Sequence, residues 1–197
     1  MARTIAKDYS EKRGQILKTA AKVFAEHGFD RASMSQLSKA CGISKANIYH
    51  YYDGKDALLY DLLDRYLADL RDRLATVNGD GQDPQQHLRA LITEVLLAYQ
   101  GADAEHNVQS SSLRALPPEQ QKTLRGYQRD MVLQMSAAVR SVAPQKFADD
   151  KIALHETTMS VFGMLNWHYM WSRDNSTEAR TSYATRITDL VLHGITA

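Results

Sequence analysis

What the chain lacks narrows it first. A single cysteine, Cys41, rules out an internal disulfide and any zinc site built on paired thiolates, and it fits a reducing compartment. Cys41 falls on the inner face of an expected helix, where it reads as a small buried apolar residue rather than a redox sensor. No apolar run is long enough to span a membrane. The opening MARTIAKDYSEKRGQ lacks the apolar stretch of a secretory signal, so a cytoplasmic protein is expected. No segment alternates with period two, so no sheet is expected. Internal repeats and low-complexity tracts are missing as well.

Catalytic constellations are also missing. None of the seven histidines belongs to an HExxH pattern, and His155-Glu156 has no further ligand at helical spacing. No glycine-rich loop opens a helix in a strand context. Ser110-Ser111-Ser112 reads as a polar turn or cap, not as a nucleophile beside a base. Neither an enzyme nor a metal or cofactor protein is expected.

What is present begins with charge. The net value is only +1, but Met1 to Lys55 holds ten Lys or Arg against five Asp or Glu, and the remainder fourteen against eighteen. A basic head on an acidic body fits nucleic acid. Within the head, Ser33 to Lys55 reads as two short helices joined by a turn. Ser33 and Gln36 have capping-box spacing, Gly42 suits the positive φ that follows a helix, and Ser44 caps the second helix. Ile43, Ile48 and Tyr51 or Tyr52 turn inward against Leu37. Lys45, Ala46, Asn47, Tyr49 and His50 are left outward. That set suits a major groove: an Asn amide reads adenine, Lys or His reaches guanine acceptors, and an Ala methyl meets a thymine methyl. The geometry expected is a helix-turn-helix with its recognition helix exposed. A plain pair of surface helices is the alternative.

These residues resemble the TetR-like transcriptional repressors over about Ser10 to Leu59. The matching positions are Phe24-Ala25-Glu26-His27-Gly28-Phe29, Ser33, Leu37, Gly42-Ile43-Ser44, Ile48-Tyr49, Tyr51-Tyr52 and Lys55-Asp56-Ala57-Leu58-Leu59. Ser38 stands where the family usually has alanine, and Tyr52 where phenylalanine is usual. The resemblance implies DNA contact through Ser33, Ser44, Lys45, Ala46, Asn47, Tyr49, His50 and Lys55, with Tyr49 and Lys55 on phosphates. Arg3, Lys7, Lys12 and Arg13 precede or open the first helix, where a loose basic arm reaching phosphates or a merely solvated tail are both open.

The expected architecture is all-α with about nine helices, a head over 1–55 and a ligand-binding and dimerisation body over 56–197. The first helix is expected from Asp8 or Ser10 to His27, and a fourth, capped from Asp53 to Asp56, over about 56–76 as a lever between head and body. A turn-rich loop leads to Pro84, which opens a fifth helix carrying Leu88, Leu91, Ile92, Val95 and Leu96. A short helix is expected over His106 to Ala115 and a long one from Pro117-Pro118 to just before Pro144. Lys151 to about Ser172 is apolar nearly all round and so needs cover on every side. A final helix follows from Ser176 or Thr177, with Tyr183, Ile187, Leu190, Val191 and Ile195 on its stripe.

The resemblance implies that these last two helices form a four-helix homodimer interface, here through Phe162, Leu165, Tyr169, Ile187, Leu190 and Val191. It also implies an effector pocket in the body. Tyr99, Tyr127, Met131, Met135, Phe162, Trp167, Met170 and Trp171 are candidates to line an adaptable apolar cavity; core packing is the plainer reading of each. Gly163-Met164-Leu165-Asn166-Trp167, Trp171-Ser172-Arg173 and Leu116-Pro117-Pro118-Glu119 are similar to the acyl-CoA-responsive branch, whose regulators control fatty-acid, steroid and phenylacetate degradation. A CoA thioester, with phenylacetyl as one aromatic acyl group, would need cations for its phosphates, and Arg125, Arg129 and Arg173, with Arg114 and Arg180, are available. The expected partners are therefore near-palindromic double-stranded operator DNA, a small-molecule effector and a second copy of the chain, with no membrane and a nucleoid location. A repressor of an efflux gene answering cationic drugs is the alternative; Glu94 and Glu156 are its candidate buried carboxylates. A sequence-independent architectural protein is a remoter one, which the acidic body opposes.

Overall fold

The computed structural model describes the backbone of residues 2–196 and the side chains of residues 8–195. The helices are α1 (Ala2–His27), α2 (Met34–Ala40), α3 (Lys45–Tyr51), α4 (Lys55–Ala75), α5 (Pro84–Ala98), α6 (Asp103–Ser112), α7 (Pro118–Val142), α8 (Lys151–Asn166), the single turn α9 (His168–Trp171) and α10 (Thr177–Thr196). A 3-10 turn over Leu113–Ala115 follows α6. No strand occurs among the described residues, as the absence of period-two patterning required.

Two compact units divide the chain. The first joins the residues up to Leu67 with Asp103–Leu124; the second joins Ala68–Ala102 with the residues from Arg125 onward. Of the three cuts, two fall inside helices, α4 and α7, and the third in the loop before α6.

The first unit is built on the stripe of α1 expected from its helical spacing. Ile16, Leu17, Ala20, Val23 and Phe24 are buried, and so are Leu37 of α2, Ile48 of α3, and Leu58, Leu59, Leu62 and Leu63 of α4. Each such leucine or isoleucine contributes about 1.5–3 kcal/mol by leaving water. Packing between α1 and α6 brings Val108, Leu113 and Leu116 into the same core, and the buried Tyr66 hydroxyl lies 3.2 Å from His106 Nδ1. The compact unit that holds α1, α2 and α3 runs past residue 55. It takes in the first half of α4 and a piece of chain beginning at Asp103. Helix α1 also begins at Ala2 rather than Asp8, since no proline or glycine interrupts the stretch before it.

The second unit centres on α5 lying against α10, with α8 touching both. Asp83 caps α5 through Gln86 N–H and Pro84 takes the first turn, where a missing N–H costs nothing. Leu88, Leu91, Ile92, Val95 and Leu96 are buried, as are Ala184, Ile187 and Val191 of α10 and Met135 and Val139 of α7. Ser176 caps α10 through Ala179 N–H. At the start of α10 the Arg180 guanidinium is 1% exposed, donating to the Leu96 carbonyl at 3.0 Å and to Asn175 Oδ1 at 3.2 Å. Arg180 is thus a fastener of the fold, not an available cation.

The expected helix from Lys151 to Ser172 is broken. Helix α8 ends at Asn166, Trp167 caps it with its N–H on the Gly163 and Leu165 carbonyls, and α9 is a separate turn. Asn166, Trp167, His168 and Tyr169 are all weak helix formers. Side chains then hold the break: Tyr99 donates to Asn166 Oδ1 at 2.8 Å, Tyr183 donates to the Met164 carbonyl, and His168 is buried against the rings of Tyr183 and Trp171.

Candidate nucleic-acid interface

The turn between α2 and α3 is assembled from local hydrogen bonds. Gln36 N–H donates to Ser33 Oγ, and Ser33 N–H donates to Gln36 Oε1 at 2.9 Å, closing the capping box. Such a cap contributes about 1 kcal/mol. Gly42 takes φ +64°, the left-handed region in which a side chain would be strained. Ile43 N–H returns to the Ser38 carbonyl, and Asn47 N–H donates to Ser44 Oγ at the start of α3. The hydroxyl of Ser38, buried where the two helices approach, donates to the Ser35 carbonyl, which leaves it satisfied in place of an alanine methyl.

Helix α3 sorts its residues as its sequence requires. Ile48 is fully buried and Tyr52 nearly so, whereas Lys45, Ala46, Asn47, Tyr49 and His50 are exposed. An amide, a methyl, an ammonium, an imidazole and a phenol thus share one free surface. Tyr51 is held from α1 by stacking on Tyr9, with centroids 4.9 Å apart, and His50 meets Tyr51 edge-on.

Two basic residues are engaged within the head itself. Lys55 Nζ donates to the carbonyls of Phe29, Asp30 and Ala32 at 3.0, 2.9 and 3.4 Å and sits 4.6 Å from the Phe29 ring centroid. Its hydrogens close the turn between α1 and α2. A phosphate contact would steepen the salt dependence of DNA binding by about 0.9 per charge. Lys55→Met should therefore leave the slope of log affinity against log salt unchanged while lowering the melting temperature. A slope shallower by about 0.9 would restore the phosphate role. Arg13 likewise belongs to no loose arm, since its guanidinium grips Asp61 of α4. The side chains of Arg3 and Lys7 lie outside the described residues.

In the second unit the expected effector residues divide. Met131, Met135 and Phe162 are interior, whereas Tyr99 is half-buried with its phenol desolvated, which pushes it well above its usual range. Tyr127 lies beneath the Arg71 guanidinium. Arg125, Arg129 and Arg173 are on the surface, and Trp167, Met170 and Trp171 are more than half exposed. Trp167 is the cap between α8 and α9, and Trp171 ends α9. The expected dimer residues divide too. Leu165 and Ile187 are fully buried within the chain, Phe162 and Val191 nearly so, and Tyr169 is half-buried, whereas Leu190 is 62% exposed. Ile152 and Met159 of α8 and Trp167 at its cap are exposed, at spacings of seven and eight residues. A concavity of about 560 Å³ runs along α10, lined by Ser182, Thr185, Arg186, Asp189, Leu190 and His193.

Comparison with known proteins agrees with both halves. Residues 16–62 match the bacterial regulatory proteins of the tetR family, and residues 81–195, more than half the chain, match the tetracyclin repressor-like C-terminal domain. The chain belongs to the tetR family. A TetR-family transcriptional regulator from Bordetella parapertussis 12822 is 30% identical, with a TM-score of 0.85 over 91% of this chain and 93% of that one. The fold is shared with AibR, solved in complex with isovaleryl coenzyme A and operator DNA, at a TM-score of 0.75, 20% identity and coverage of 92% and 98%. The HTH-type transcriptional repressor KstR2 of Rhodococcus jostii (strain RHA1) is 31% identical over 98 residues, which is 50% of this chain and 47% of its own length. The chain spans less than half the length of the first curated relatives it matches.

Within this tetR-family head, sequence reasoning missed Tyr9 stacked on Tyr51 and the bond from the Tyr52 hydroxyl to Asp61. Tyr52 alone carried a signal, as a tyrosine where phenylalanine is usual. Cys41 is half-buried rather than sealed, and burial pushes its thiol up, with partial relief from a Thr19 hydrogen bond. A raised pKa means less thiolate at any given pH. Iodoacetamide at pH 8 should therefore label native protein several-fold more slowly than urea-unfolded protein, as followed by mass spectrometry. Equal rates would contradict the burial.

Proposed function

We propose that this chain is a DNA-binding transcriptional repressor that works as a homodimer and is released from its operator by an acyl-CoA thioester. The observation that carries the DNA-binding part is the free surface of α3, with Lys45, Ala46, Asn47, Tyr49 and His50 outward and Ile48 locked in the core. A helix so presented has no packing partner on its reading face within the unit, and its side chains match the donor and acceptor code of the major groove. Two copies would read a near-palindromic site. Asn47→Ala should cost about 1–3 kcal/mol at one base position and leave the others as they were. Selection from a random duplex pool, followed by affinity measurement on single-base variants, checks this. A uniform loss across all bases would move Asn47 from base reading to backbone contact.

The effector reading is supported by AibR, solved in complex with isovaleryl coenzyme A and operator DNA, and by the interior Met131, Met135 and Phe162. The cationic-drug reading loses ground. Glu94 is ion-paired with Arg73 at 2.6 Å, and Glu156 is exposed, so neither waits as a buried counter-charge. The test is a titration with acyl-CoA esters, free CoA and free acids, with and without operator. The ester should bind free protein more tightly than operator-bound protein by the same factor with which it weakens DNA binding, ordinarily about 1–3 kcal/mol. Equal affinity in both states would end the effector reading.

A further inference from the structure

The carboxylate of Asp61, on α4, collects donors from three directions. Arg13 of α1 grips it twice, Nε to Oδ2 at 2.9 Å and the terminal nitrogen to Oδ1 at 2.8 Å. Arg65, one turn along α4, donates to Oδ1 at 3.2 Å. The Tyr52 hydroxyl donates to Oδ2 through a short hydrogen bond. Arg13 Nε also lies 3.3 Å from the Tyr52 hydroxyl, so the three side chains form a closed cluster. Asp61 is only 12% exposed and the Tyr52 ring is buried. Charge-assisted bonds in such surroundings are stronger and more directional than surface pairs. Burial, then the bond to Asp61, pushes the Tyr52 phenol well above its usual range, so it stays a donor.

Tyr52 is the residue that ends the recognition helix. Its N–H donates to the Ile48 carbonyl, and its own backbone is already extended. Helix α3 has seven residues and two ends, so whatever fixes Tyr52 fixes the far end of the reading face. Ring packing alone would leave the residue free to slide along its apolar slot. The hydroxyl bond removes that freedom by tying α3 to α4 and, through Arg13, to α1.

We propose that Asp61 is a positioning residue for operator reading: through Tyr52 and Arg13 it sets the pitch at which α3 is presented. This rests on the DNA-binding reading above. It concerns a tyrosine hydroxyl that a phenylalanine at the same place would lack.

The test uses the full chain and two duplexes of equal length, one selected from a random pool by the wild-type protein and one unrelated. Tyr52→Phe, Asp61→Asn, Arg13→Gln and the Tyr52→Phe/Asp61→Asn double variant are compared at several salt concentrations and at a temperature where circular dichroism shows each to be folded. Affinity for the selected duplex should fall about tenfold, the size of one lost base contact. Affinity for the unrelated duplex and the salt slope should stay as in wild type. The double variant should bind as Asp61→Asn does, because the hydroxyl acts only through that carboxylate. Should Asp61→Asn fail to fold, Tyr52→Phe, which keeps the ring, decides alone. Variants that melt lower yet bind the selected duplex like wild type would show the cluster to be merely structural. Equal weakening on both duplexes with a shallower salt slope would make these residues phosphate contacts. Either result overturns the proposal. A wild-type chain that selects no sequence overturns the DNA-binding reading itself, and this proposal with it.

Discussion

Leu165→Asp should unfold the second unit, whereas Leu190→Asp should leave it folded and break the association of two copies. The two leucines sit on the paired helices expected to form a dimer face, but they face opposite ways. Leu165 is fully buried within the chain, on a helix that packs against α5 and α10. A carboxylate there would be desolvated with no partner, a cost of about 3–5 kcal/mol against a total stability of about 5–15. Leu190 is mostly exposed, so a charge there changes the isolated fold by no more than about 0.5 kcal/mol. Covered by a second copy, the same charge would be stranded at an apolar contact. Denaturant unfolding and sedimentation read the two outcomes separately. A folded, dissociated Leu165→Asp would show that Leu165 faces the partner after all. A Leu190→Asp protein as dimeric as wild type would place the interface elsewhere.

Arg180→Ala should cost about 3–5 kcal/mol of stability, combining a large-to-small cavity with orphaned acceptors. The guanidinium is 1% exposed and ties the last turn of α5, through the Leu96 carbonyl, to Asn175 in the turn before α10. Arg180→Met keeps most of the volume and removes a buried charge, which offsets part of the loss. It should cost only about 1–3 kcal/mol. The difference between the two midpoints in urea separates packing from hydrogen bonding. An Arg180→Ala protein within about 1 kcal/mol of wild type would mean that the carbonyl and the asparagine find other donors.

What could be read from the chain was set by distance along it. Ser33 with Gln36, Gly42, Ser44, Asp83 before Pro84, and Ser176 all act within four residues, so their spacing announces them. The buried stripe of α1 and the outward set of α3 follow from helical periodicity for the same reason. Other features are invisible to any local pattern. Arg13 meets Asp61 across 48 residues, Lys55 meets the Phe29 carbonyl across 26, and Arg180 meets Leu96 across 84. The end of α8 was hidden for another reason. Its apolar pattern continues through Trp167 and Met170, and only Tyr99 and Tyr183, from other helices, draw off the groups that hold the break. The expected dimer face has the same ambiguity, because an apolar stripe does not say whether its cover comes from the same chain or another.

The head is made from two stretches of chain, the residues up to Leu67 and Asp103–Leu124. A ribosome delivers the first stretch well before the second. Until α6 emerges, Val108, Leu113 and Leu116 are missing from the core and Tyr66 lacks His106. The reading helix is therefore synthesised early but supported late, and nascent chains must pass residue 124 before they hold a finished head. A hybrid regulator made by grafting residues 1–55 onto another body would inherit the reading face without the half of its foundation that is encoded downstream.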